Sequence, residues 1–96
     1  MAELRVTPAA LRDLEGIWTY TAQQWGVAQA ARYLDGLNAC FEAVATSPLS
    51  APACEHIRPG YRRQRVERHT VYYRVEDAVV VIVRVLHERM DVLRHL

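Results

Sequence analysis

The sequence predicts an α+β domain in which a helical hairpin is packed on one face of a small, mainly antiparallel four-stranded sheet, in the order β-α-α-β-β-β. Three observations carry that expectation. Residues 8–45 contain two stretches of apolar side chains spaced three and four apart, broken only at Trp25-Gly26-Val27. Residues 61–66 and 69–86 read as strands separated by turn residues, and residues 2–6 alternate as a short strand at the front. Helices grouped before the main run of strands favour segregated layers rather than alternating β-α-β units.

In residues 2–6, Leu4 and Val6 fall on one side and Glu3 and Arg5 on the other. Thr7-Pro8 starts the first helix, because threonine caps free N–H groups and proline suits the first helical position. Its stripe is Leu11, Leu14, Ile17, Trp18, Ala22 and Trp25, with Asp13 and Glu15 near the positive end. Gly26 ends it. The second helix covers residues 28–45, with Ala31, Leu34, Leu37, Phe41 and Val44 on one side and Thr46-Ser47-Pro48 as its stop. Both tryptophans and Phe41 read as core.

Three prolines make residues 47–60 a loop, closed by the turn Pro59-Gly60. Residues 61–66, YRRQRV, are too polar for a central strand and read as an edge. The final hairpin turns at Glu76-Asp77-Ala78. Its second strand, residues 79–86, is unusual: simple alternation puts Val79, Val81, Val83 and Val85 on one face and Val80, Ile82, Arg84 and Leu86 on the other. Both faces are then largely apolar and need two covers, of which the helical hairpin supplies one. The face bearing Val80, Ile82 and Leu86 is left for the C-terminal tail, a second copy or a partner. If a partner covers it, Ile82→Glu or Leu86→Glu should weaken a complex more than it unfolds the chain.

Ninety-six residues that are 51% hydrophobic and 24% charged make a single domain over residues 1–96. A net charge of +1 argues against wholesale polyanion binding, and the absence of lysine excludes any mechanism that requires one. No signal-peptide pattern or apolar run of membrane-spanning length is present, so a cytoplasmic protein without membrane contact is expected. Cys40 and Cys54 lack metal-site spacing and read as reduced structural thiols, with a disulfide between them left open. No metal or cofactor site is expected.

Arg58, Arg62, Arg63, Arg65 and Arg68 fall within eleven residues. Guanidinium groups suit phosphates and carboxylates, so they read either as a docking surface or as charges that protect an edge strand from aggregation. His87 lies just past a strand end, and with Arg84 and Arg65 it can be read as a general acid or base for RNA cleavage.

Tyr20, Gly26, Ala31, Tyr33, Leu37, Phe41, Pro48, Ile57 and Pro59-Gly60, then Tyr72-Tyr73-Arg74 and RVLHERMD from Arg84 to Asp91, resemble the ParE toxins of the RelE/ParE toxin–antitoxin superfamily. The resemblance covers nearly the whole chain and implies the same β-α-α-β-β-β fold. It implies a ParD-type antitoxin whose C-terminal segment orders along the helices and sheet, here over Val80, Ile82, Leu86, Arg58, Arg63 and Arg65. Promoter DNA would be bound only through that antitoxin. It further implies a toxin that inhibits DNA gyrase by binding and trapping cleaved DNA, without a reaction of its own. Arg84, His87, Arg89, Met90 and Asp91 are then the target-binding residues. The alternative is a ribosome-dependent mRNA endoribonuclease of the RelE branch, with Arg65, Arg84 and His87 catalytic. The missing lysine, the absence of a tyrosine after Tyr73, and Glu88 beside His87 depart from that branch.

Overall fold

The computed structural model describes residues 1–96 as the elements that the sequence predicts. Strand β1 (Glu3–Val6) leads into helices α1 (Pro8–Trp25) and α2 (Val27–Thr46). Strands β2 (Tyr61–Val66), β3 (His69–Glu76) and β4 (Val79–His87) follow, and a 3₁₀ turn, η1 (Val92–Arg94), closes the chain. The sheet order is β1-β4-β3-β2, antiparallel except for the β1–β4 pair, so β2 is the predicted edge. Loop residues cover part of that edge, since Ala53 bridges to Arg62 and the Arg63 N–H donates to the Pro52 carbonyl at 3.1 Å.

Local chemistry explains the boundaries. The Thr7 hydroxyl accepts the Ala10 N–H at 3.0 Å and donates to the Val83 carbonyl at 2.7 Å, so one side chain caps α1 and ties it to β4. Gly26 ends α1 and begins α2 with φ of 93°, a conformation that other residues adopt only with strain. The β2–β3 and β3–β4 turns place Glu67 and Asp77 at φ of 52° and 54°. Asp77→Gly should therefore stabilise the chain by a few tenths of a kcal/mol, up to about 1. A urea midpoint that falls instead would show that the aspartate makes a compensating contact.

The valine-rich strand resolves differently from simple alternation. Tyr72 pairs with Arg84 but the next residue, Tyr73, pairs with Ile82, so Val83 is an unpaired extra residue. This β-bulge reverses the phase of β4. Val80 and Ile82 before it, and Val85 after it, all join the main core with Ala10, Ile17, Leu37, Phe41, Val71 and Tyr73 beneath the helices. Leu86 faces the opposite way, in a second cluster with Cys54, Tyr61 and Tyr72. The expected grouping of Val80, Ile82 and Leu86 on one open face is thus corrected: an inserted residue divides them. The chain also supplies both covers, because Ile57, Val92 and Leu96 close the second cluster. Arg58 donates to the Leu96 carbonyl at 2.9 Å and Arg84 to the His95 carbonyl at 3.1 Å, which fastens the tail over that face.

The helices also turn further than their apolar spacing suggests. The buried residues of α1 are Ala10, Ile17 and Thr21, and those of α2 are Ala30, Leu37, Cys40, Phe41, Val44 and Ala45. Trp18 and Trp25, expected in the core, are 37% and 73% exposed, and Ala31 is exposed as well. Cys40 and Cys54 are free, buried thiols in separate clusters. Burial raises the pKa of both.

Candidate functional site

The end of β4 passes β1, whose pairing stops at Ile82, and its edge is met there by α1. Asp13 serves that edge. Its carboxylate accepts two hydrogen bonds from the Arg84 guanidinium, both at 2.8 Å, and a third from the Val85 backbone N–H at 2.9 Å. With side-chain exposures of 21% for Arg84 and 12% for Asp13, this pair is largely withdrawn from water. The first turn of α1 holds no acid, so Asp13 acts through β4 rather than through the helix dipole. Sequence reading missed this role, since nothing local marks a partner seventy-one positions away.

Beside that pair, a groove of about 1270 Å³ runs between α1, the start of α2, the β2–β3 turn and the end of β4. Its floor holds His69 and His87, register partners whose rings meet edge to face at 5.1 Å. The Tyr33 hydroxyl lies 2.6 Å from His69 Nδ1 and accepts the Arg68 backbone N–H at 3.3 Å. His87 Nδ1 accepts the Arg89 N–H at 3.1 Å, which leaves Nε2 as the protonated nitrogen of its neutral ring. Burial, followed by the neighbouring His87, pushes the His69 pKa down to about 4. Burial likewise raises the Tyr33 pKa.

The His69 environment predicts a pH dependence. In the unfolded chain this ring takes a proton near pH 6.5, but in the folded chain only near 4. Its contribution is fully present above pH 6.5 and is lost as pH falls through that window, by about 1–2 kcal/mol after allowance for solvent screening of a half-exposed ring. Urea unfolding across this range should therefore be flatter for His69→Asn than for the parent. Parallel curves would show that the ring takes up its proton without penalty.

The five clustered arginines do not form one surface. Arg58 lies 5.5 Å over the Tyr61 ring and holds the tail. Arg62 donates to the Leu49 and Ala51 carbonyls at 3.2 and 2.7 Å. Arg65 is ion-paired with Glu88 and donates to the Glu67 carbonyl, Arg63 is half-buried, and Arg68 reaches the groove. Alternation along β2 further separates Arg62 from Arg63 and Arg65.

The other expected site residues also disperse. Val80 and Ile82 lie under the helices and Leu86 under the tail, all buried. His87 is half-buried on the groove floor, and Arg89 and Met90 are exposed at its rim. Asp91 turns back to cap η1, accepting the Leu93 N–H at 3.1 Å. Of the three residues read as a catalytic set, only His87 lines the groove, while Arg84 is paired with Asp13 and Arg65 with Glu88. No cluster of three or more metal-ligating side chains exists, and no helix is long and apolar enough to cross a membrane.

A second open apolar surface lies on the opposite flank of the hairpin. Leu11 and Trp18 on α1 are exposed beside half-buried Leu14, and Leu14, Trp18 and Leu34 line a shallow depression with Glu15 and Thr19. Ala31 and Val27, one and two turns before Leu34 on α2, extend it.

The fold is similar to that of a chain in a solved structure described as the chromosomal ParDE toxin–antitoxin system of P. aeruginosa. That solved structure matches with a TM-score of 0.80 at 19% identity, covering 91% of this chain and 96% of that one. A family model described as the ParE toxin of the type II toxin–antitoxin system parDE matches residues 4–92. Toxin ParE1 of Mycobacterium tuberculosis H37Rv is 46% identical over 92 residues, which span 95% of this chain and 94% of that toxin. Toxin ParE1 of Caulobacter vibrioides is 44% identical over 96 residues, all of this chain and 99% of the other. The chain belongs to the ParE toxin family.

Proposed function

We propose that this toxin arrests growth by binding DNA gyrase and trapping cleaved DNA, without a reaction of its own, and that a ParD-type antitoxin neutralises it. The observation that carries the non-enzymatic reading is the state of the two arginines that a nuclease would need beside His87. Arg84 is spent on Asp13, and Arg65 on Glu88 and the Glu67 carbonyl. Arg84 would have to leave a largely buried pair, and Arg65 an adjacent carboxylate, before either stabilised charge developing on a scissile phosphate.

Purified toxin should abolish supercoiling of plasmid by gyrase and accumulate linear DNA, and added antitoxin should reverse both effects. Unaffected gyrase in the presence of folded, growth-arresting toxin would refute the proposal. A ribosome-dependent endoribonuclease is the second reading, because His69, His87 and Tyr33 do meet in a groove. In that case His87→Ala should abolish mRNA cleavage while antitoxin binding persists.

The antitoxin seat follows from what is exposed. An amphipathic segment that orders on binding needs an open apolar track, and the hairpin flank of Leu11, Leu14, Trp18, Leu34 and Val27 provides one. Glu15 and Asp35, exposed on the same flank, favour basic side chains on that segment. Promoter DNA is then contacted by the antitoxin alone. Trp18→Glu should weaken binding of a ParD-type peptide at least about tenfold while moving toxin stability by only about 0.5 kcal/mol. Calorimetry that finds unaltered affinity would move the seat off the hairpin.

A further inference from the structure

We infer that the groove between α1 and the β2–β3 turn is a seat for single-stranded DNA, so that the toxin touches the cleaved DNA as well as the enzyme holding it. The choice of DNA rests on the gyrase reading; the chemistry of the seat does not. Arg12 from α1, Arg68 from the β2–β3 turn and Arg89 beyond β4 all line this groove. None of the three takes part in an ion pair, unlike Arg65, Arg74 and Arg84 on the same sheet.

Two carboxylates also line the groove, and they weigh unequally against those cations. Asp13 is turned onto Arg84 and neutralised there, which leaves Glu67 as the unpaired acid. Glu88, which lies close by, is held by Arg65. The local balance is therefore cationic although the chain carries a net charge of only +1.

Aromatic faces complete the site. Tyr20 is 64% exposed and Trp25 is 73% exposed, both on the groove, and neither packs in the core. Flat rings in water beside guanidinium groups are what unpaired bases and their phosphates require, the bases stacking while the arginines neutralise the backbone. A duplex keeps its base faces covered and gains nothing from the rings. An acidic peptide would use the arginines and leave the rings idle.

The test is fluorescence anisotropy of a labelled oligothymidylate, roughly ten nucleotides long, with the whole toxin free of antitoxin. Affinity should fall with salt with a slope near −2 on logarithmic axes, from about 0.7 for each of three phosphate contacts. Arg68→Glu or Arg89→Glu should weaken binding at least about tenfold. Tyr20→Ala or Trp25→Ala should do so about fivefold or more. Arg5→Glu, the same change of charge on the remote β1 strand, should have little effect. Absence of binding, indifference to the groove substitutions, a preference for oligouridylate over oligothymidylate, or displacement by a polyglutamate peptide would each overturn the inference. A toxin that inhibits supercoiling yet fails to bind the oligonucleotide would refute this seat and leave the gyrase reading standing.

Discussion

Ile82→Glu should leave no folded toxin at all, rather than a folded toxin that has lost its partner. Ile82 is 0% exposed and belongs to the cluster beneath the helices, with Val6 and Tyr73 as its register partners on either side. A carboxylate there has no cation within the cluster and no route to water. Burying it unpaired costs several kcal/mol, on top of about 2–3 kcal/mol of lost apolar burial. A domain of this size has only about 5–10 kcal/mol to lose, so the native state is no longer the stable one. Circular dichroism at ordinary temperature should show a largely unfolded chain. Leu86→Glu tests the same logic more gently, because its cover is a tail that can lift away; it should melt early but cooperatively. A cooperative Ile82→Glu melt within a few degrees of the parent, with antitoxin binding lost, would mean that this face opens in solution and serves the partner after all.

The location of Ile82 also marks where sequence reading stops. Strands, turns and caps were legible because their causes are local. Thr7-Pro8 carries its own cap, Gly26 its own φ, and the pattern of β2 its own edge character. The family resemblance was legible for the same reason, in the run from Arg84 to Asp91. The facing of β4 was not, because its valines satisfy alternation equally well with or without an extra residue at Val83. What places the bulge is the end of β1 pairing at Ile82 and the arrival of Thr7 and Asp13 at the exposed edge, contacts more than seventy residues apart in sequence. The helices failed in a related way. Leu11 and Trp18 stand seven residues apart, and that spacing fits a stripe turned to a partner as well as one turned to a core. The groove was invisible in sequence because Tyr33, His69 and His87 come from three elements and share no motif. The unusual RVLH run hinted at His87 alone.

Asp13→Ala should be the most damaging substitution of any charged residue in the chain, even though aspartate on a helix is ordinarily dispensable. The change strands the Arg84 guanidinium and the Val85 N–H together, at a strand edge that has no neighbouring strand. Breaking a buried pair from one side costs about 3–5 kcal/mol, and partial exposure brings this toward about 2–3 kcal/mol, or about 10 °C or more in melting temperature. Arg84→Ala should cost less, because Asp13 keeps its bond from Val85 and can recruit water. The double variant should be less unstable than the two single effects predict, by about 1 kcal/mol or more, since the charge left stranded by either change is then gone. Four urea curves would decide this, and strict additivity would show that the two side chains contribute independently. The same variants address toxicity. If Arg84 contacts the target, toxicity should fall on Arg84→Ala by more than its loss of stability explains, whereas Asp13→Ala, which frees the guanidinium, should spare toxicity at temperatures where the chain stays folded. If Arg84 serves only to anchor β4 to α1 and to hold the tail through the His95 carbonyl, both variants should lose toxicity in step with their stability. The structure favours that second outcome, because a guanidinium already donating to two oxygens of Asp13 and to the chain's own C-terminal segment has little left to offer a partner.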